Sequence, residues 1–166
     1  LLNKFDYNKG LHQSVNLGYG SFDTWTGKYQ LKYSSKKFSS SVDYSRNQSD
    51  NDYKVPNYLT YNRNAKYYFN AINANFGYRF NPKNEVKIYS MFNFGKREFP
   101  LVDINSTPNG YENLDYRIMS EWNFTPNDKW LSELKLAYIH EENNFFTNIH
   151  QDFSTNLEVD NYILKY

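Results

Sequence analysis

The strongest constraint in this chain is a period of two. Ile72, Ala74, Phe76, Tyr78 and Phe80 are apolar, while Asn73, Asn75, Gly77 and Arg79 between them are small, polar or charged. A strand sends successive side chains to opposite faces, so such a segment is a strand with one apolar and one polar side. The same alternation runs through Val15 to Tyr19, Tyr29 to Tyr33, Phe38 to Tyr44, Val86 to Phe92, Leu114 to Phe124, Leu134 to Tyr138 and Tyr162 to Tyr166. No segment sustains the period of about 3.6 residues that an amphipathic helix needs. The pattern predicts an all-β fold with an antiparallel sheet of about eight strands.

The connections between these segments alternate in length. Ser34 to Lys37, Asn81 to Asn84 and Thr125 to Asp128 are tight; Arg46 to Lys66, Arg97 to Gly110 and Glu142 to Gln151 are long. Short turns at one end and long loops at the other are the habit of outer-membrane barrels. Only Phe22 to Gly27, between the first two strands, is shorter than that rhythm asks. The strands read as about 10 to 13 residues, longer than the usual ~5–6 and suited to a tilted crossing of the hydrocarbon layer. The predicted architecture is an antiparallel transmembrane β-barrel.

Composition fits that architecture and excludes others. The 166 residues are 39% hydrophobic but 20% aromatic, with 17 Tyr and 13 Phe, and the mean hydropathy is -0.88. A disordered polar tract lacks so many large rings. A barrel wall needs apolar residues only at alternate positions, so low mean hydropathy is compatible with a membrane. Tyr and Trp carry an apolar ring and a polar tip, which suits the water–lipid boundary. The candidates for that boundary, near strand ends, are Tyr19, Phe22, Trp25, Tyr44, Tyr78, Phe80, Trp122, Phe124, Trp130 and Tyr138. No run approaches the ~18 apolar residues of a membrane-spanning helix. Cysteine is absent, which removes disulfides, thiolate zinc sites and thiol nucleophiles. A net charge of +1 spread along the chain gives no nucleic-acid footprint. Leu1-Leu2-Asn3-Lys4 does not open a signal peptide.

Gly18-Tyr19-Gly20-Ser21-Phe22, after the alternating Ser14 to Leu17, resembles the first barrel strand of TonB-dependent outer-membrane receptors, most closely the cobalamin and siderophore branch. Val42-Asp43-Tyr44-Ser45 with Ser49-Asp50-Asn51-Asp52-Tyr53 is similar to the family's strand ending in an acidic loop. Asn75 to Asn84 is similar to a strand descending into a periplasmic turn. The resemblance covers about Leu11 to Tyr166. It implies a transport protein, not an enzyme, in the outer membrane of a Gram-negative bacterium. In that family a TonB box and a plug domain precede a barrel of roughly 22 strands. Neither box nor plug is visible here, so the chain reads as a segment of the larger barrel. Residues 1–10 would be the connection preceding the barrel and residues 11–166 its strands, turns and loops. Implied partners are outer-membrane lipid, a ferric siderophore or cobalamin ligand, and TonB acting through a plug absent from this chain; no nucleic acid is implied. The alternative is a complete eight-stranded barrel with a structural or adhesion role.

Candidate ligand residues gather in the second long loop. Asp50 and Asp52 offer the hard oxygens that suit calcium, and cobalamin receptors of the family hold calcium there; two acids fall short of its usual six to eight oxygens or so. Tyr53, Tyr61 and Arg63, with Tyr58 and Tyr67, could grip a bulky chelate; boundary Tyr is the simpler explanation. Lys28, Lys32, Arg79, Lys87, Arg117 and Lys135 are expected to point inward, balanced by Asp43, Glu85, Glu121 and Glu133. An enzyme reading rests only on His140-Glu141-Glu142, which lacks the second histidine of a zinc-helix motif. The expectation for His12, His140 and His150 is solvated loop or rim positions, and no catalytic residue is assigned.

Overall fold

A computed structural model describes residues 5–54, 61–62, 64–101, 107–127, 129–148 and 154–166. Among them there is no helix. Eight long strands form one antiparallel sheet: β1 (Gly10–Gly20), β2 (Thr24–Ser34), β3 (Phe38–Ser49), β6 (Tyr67–Asn81), β7 (Asn84–Glu98), β8 (Gly110–Asn127), β9 (Trp130–Phe146) and β10 (Ser154–Lys165). Each pairs with its neighbour in chain order, and β1 and β10 are the two edges of an open sheet. Two short strands, β4 (Tyr53–Lys54) and β5 (Tyr61–Asn62), make a small ribbon within the β3–β6 connection.

Four strands keep to the expected 10 to 13 residues, with 11 in β1 and β2 and 12 in β3 and β10; the other four are longer, with 15 in β6 and β7, 18 in β8 and 17 in β9. β2 starts at Thr24, so the first hairpin is tight. Phe22 and Asp23 both have positive φ, 60° and 52°, the backbone of the turn whose twist matches paired strands. β8 passes through Pro126, and there the ladder skips from the Phe124–Ser132 pair to Asn127–Trp130. Proline has no N–H to give, so pairing lapses at that point. This moves the last short turn a residue or two beyond its expected place.

The register assigns every side chain to a face. One face carries Val15, Leu17, Tyr29, Leu31, Val42, Ile72, Phe76, Ile88, Phe92, Ile118, Leu136 and Leu164. The other carries Ser, Asn, Lys, Arg, Asp and Glu at most positions. The burial is inverted relative to a protein core. Ala65 is the one buried apolar residue described, while Ser34, Ser39, Asp43, Asn75 and Glu121 are buried and most large apolar side chains are exposed. Two polar walls of a sheet that curves toward its own polar face would give this pattern; an apolar core would not.

The apolar band slants across the sheet. Toward the long-loop end its last members are Tyr19 on β1, Trp25 on β2, Tyr44 on β3, Ile72 on β6, Leu114 on β8, Tyr138 on β9 and Tyr162 on β10. Beyond them the same face bears Arg46, Gln48, Asn70, Glu112, His140, Glu142, Glu158 and Asp160. Along the ladder, Tyr162 is level with Tyr138, Ile118, Ser90, Ala74, Val42, Leu31 and finally Gln13, well down β1 from Tyr19. The short-turn end slants the same way. Ser39 is opposite Gly77, yet β6 continues to Asn81; Asn84 is opposite Phe124, yet β8 continues to Asn127.

The segment before β1 folds back over the polar face at the short-turn end. The Asn8 N–H donates to the Ser35 carbonyl at 2.9 Å, and the Lys9 N–H to Ser34 Oγ at 2.9 Å. Tyr7 donates its hydroxyl to Glu85 Oε1 at 2.6 Å, the Arg79 guanidinium sits 4.1 Å from the Tyr7 ring centre, and Phe5 meets Tyr89 edge-on at 5.4 Å. Burial, then the bond to Glu85, push the Tyr7 hydroxyl well above its ordinary range, so it stays a donor. Gly77 makes this approach feasible, because a Cβ there would lie 2.8 Å from both the Phe5 ring and the Tyr7 oxygen. Gly77→Val is therefore expected to lift the segment off the sheet, at a cost of about 1–3 kcal/mol. Tryptic cleavage after Lys9 should speed up several-fold, and an unchanged rate would show that the segment is not held there.

Candidate functional site

The polar face is built as an ion network at the short-turn end. Glu121 on β8 accepts from Lys87 on β7 at 2.9 Å and lies 3.5 Å from Lys135 on β9. Lys87 also reaches Glu85 at 3.2 Å, Glu85 meets Arg79 at 3.4 Å, and Lys135 meets Glu133 at 2.6 Å. Asn123 Nδ2 adds a 2.6 Å bond to Glu121 Oε1. Farther along, Arg117 pairs with Glu141 at 2.6 Å, and Gln30 donates to Asp43. The inward-facing cations expected at Arg79, Lys87, Arg117 and Lys135 do share this face and are balanced by acids beside them, so the face is polar without a single-signed path.

At the opposite end, the base of the second long loop docks on the first hairpin. The Asn51 N–H donates to the Phe22 carbonyl at 3.2 Å, and Ser49 Oγ donates to the same carbonyl at 2.7 Å. The Tyr53 ring packs edge-on to Phe22 at 6.2 Å. Asp50 lies 3.4 Å from Lys66, both well exposed, and Asp52 is exposed. Tyr61 contributes its backbone to β5; Tyr58 and Arg63, and His150 of the last loop, fall outside the described residues. Asp50 and Asp52 belong to no group of three metal-capable side chains among the described residues.

The aromatic candidates sort into two rows. The Tyr19 and Trp25 rings meet at 4.7 Å, tilted by 59°, near the long-loop edge of the band, with Tyr44 and Tyr138 along the same edge. Tyr78 and Phe80 meet at 4.9 Å, and Trp122 and Phe124 at 6.0 Å, along the short-turn edge. Trp130 opens β9 beside the last short turn. Phe22 stands apart from both rows, in the hairpin turn against Tyr53.

One cluster was not anticipated. His140 is neither in a loop nor solvated: it lies inside β9 with its side chain 9% exposed. Its ring stacks on Tyr116 at 4.6 Å, and its Nδ1 lies 2.9 Å from Asp160 Oδ1 on β10. Tyr138 donates its hydroxyl to the same oxygen at 2.7 Å. The available signal was a pair of alternations, His140 and Glu142 against Glu158 and Asp160, which only a known register brings together.

No family model matches this sequence, and no curated protein is significantly similar to it.

Proposed function

We propose that this chain is part of the wall and outer loops of a TonB-dependent receptor barrel in the outer membrane, serving uptake of a bulky scarce nutrient such as a ferric siderophore or cobalamin. The observation that carries the membrane part is the slanted apolar band. Strands of a lipid-embedded barrel tilt about 35–45° to its axis, so a level belt of lipid contact must cut obliquely across the ladder. The two aromatic rows then mark the two water–lipid boundaries, and the polar ends of β7 to β10 stand above the outer one. The ion network would line the lumen, and Phe5 to Lys9 would lie inside it, as a connection from a preceding plug should.

The larger barrel is favoured over a complete small one by the edges. Hydrocarbon offers no partners to unpaired backbone groups, and β1 and β10 do not pair with each other, so each needs a further strand. The receptor assignment itself rests on the resemblance of Gly18 to Phe22 and the strand–turn–loop rhythm. In cells carrying the intact protein, replacing the β4–β5 ribbon with a short Gly/Ser turn is expected to abolish uptake of the cognate chelate while leaving outer-membrane levels unchanged. Uptake that persists without TonB would defeat the receptor reading. A disulfide forming readily between cysteines at Val15 and Tyr162 would defeat the large barrel in favour of the eight-stranded one.

A further inference from the structure

The polar ends of β9 and β10 carry a side-chain set on which the proposed function does not rest. His140 and Asp160 are directly opposite one another, and Glu142 and Glu158 form the next pair on the same face. His140 Nδ1 lies 2.9 Å from Asp160 Oδ1 and 3.9 Å from Glu158 Oε1. One donor atom from each of these three residues falls within 4.8 Å of the other two.

Two features separate the set from ordinary surface acids. The first is the imidazole, nine-tenths buried and clamped against Tyr116, which aims a nitrogen at the carboxylates with little side-chain freedom left to lose. The second is charge. Like charges directly opposite in a ladder are destabilising, yet Glu142 faces Glu158. Among the described residues no lysine or arginine pairs with Glu142, Glu158 or Asp160; Lys96, on the same face, is occupied by Glu112 at 2.9 Å. Glu158 and Asp160 thus share one imidazole, with the Glu142 carboxylate, bonded to Asn144 Nδ2 at 2.9 Å, as the next charge on the face.

We propose that His140, Glu158 and Asp160 bind a divalent cation of the zinc class. Bonds of about 2.0–2.2 Å put tetrahedral ligand atoms roughly 3.3–3.5 Å apart, a spacing that small rotations of the exposed Glu158 reach. One nitrogen with carboxylate oxygens is a zinc-type set, whereas calcium takes oxygen alone. The cation replaces the proton held between Nδ1 and Asp160, and the ring ligates in its neutral form with its remaining proton on Nε2. The Tyr138 hydroxyl is a positioning group that holds Asp160 through its bond to Oδ1, the oxygen facing His140. Glu142 contributes field and leaves the fourth position to water.

The test is calorimetric titration of Zn²⁺ into the intact protein in detergent micelles, independent of any transported nutrient. One equivalent per chain is expected. Asp160→Asn, which keeps the size of the side chain, and His140→Ala should each weaken binding by about a hundredfold, and Tyr138→Phe by about tenfold. His12→Ala should change nothing. Circular dichroism of each metal-free variant checks that the sheet is intact. Three results would overturn the assignment: no Zn²⁺ bound by the wild-type chain, equal affinity in the Asp160→Asn or His140→Ala chain, or displacement of Zn²⁺ by equimolar Ca²⁺.

Discussion

Replacing Ile118 with arginine is expected to destabilise the intact protein in lipid vesicles by about 2–4 kcal/mol. Ile118 sits mid-band on β8, between Ser90 on β7 and Tyr138 on β9, and is 48% exposed with nothing of the protein over it. In a bilayer that exposure is to hydrocarbon, where a guanidinium finds neither water nor a counter-ion. Arg117, one residue earlier, is tolerated because it points to the other face and meets Glu141 at 2.6 Å. If the band met water instead, Ile118→Arg would be a surface change worth less than about 0.5 kcal/mol. Urea titration in vesicles, followed by tryptophan fluorescence, separates the two, and a shift under that smaller value would sink the membrane reading.

Glu121→Gln tests the other face. The Glu121 side chain is 7% exposed and serves Lys87 and Lys135 together. Neutralising it removes the carboxylate between two ammonium groups, leaving Lys87 with Glu85 alone and Lys135 with Glu133 alone. Removing one partner of a buried ion pair costs about 3–5 kcal/mol when the other is fully buried. Lys87 retains some exposure, so a loss of about 2–3 kcal/mol is expected. Combining Glu121→Gln with Lys87→Met should recover part of it, a coupling of at least ~1 kcal/mol in a double-mutant cycle. Simple additivity would mean that the network is solvated and holds little.

Much of the sheet was legible because strand alternation is local. Ile72 to Phe80 announces both its strand and its faces, and the structure keeps that assignment, as it keeps Lys87 and Lys135 together on the polar face of the sheet. The ends of strands were less legible. β2 begins at Thr24 because Phe22 and Asp23 adopt a left-handed turn, which aspartate tolerates but phenylalanine does not advertise. β3 and β9 run on into segments that look like loops, because backbone pairing there is set by a neighbour rather than by side-chain pattern. The loop candidates Asp50, Asp52 and Tyr53 were found by composition, yet what organises Tyr53 is the Phe22 turn, some thirty residues earlier in the chain and linked to it only by the fold.

His140 shows the division most clearly. Its neighbours in sequence, Glu141 and Glu142, suggested a rim residue. Its neighbours in space are Tyr116, Tyr138 and Asp160 from three strands. Period-two chemistry decides that a residue is on a strand and which side it faces, because each Cβ is set by the backbone beneath it. It carries no information on which residue lies opposite, since pairing is fixed by turns and bulges far along the chain. So the alternation settled the class of the fold and the two faces of the sheet. The register settled the slant of the apolar band, the ion network around Glu121 and the meeting of His140 with Asp160.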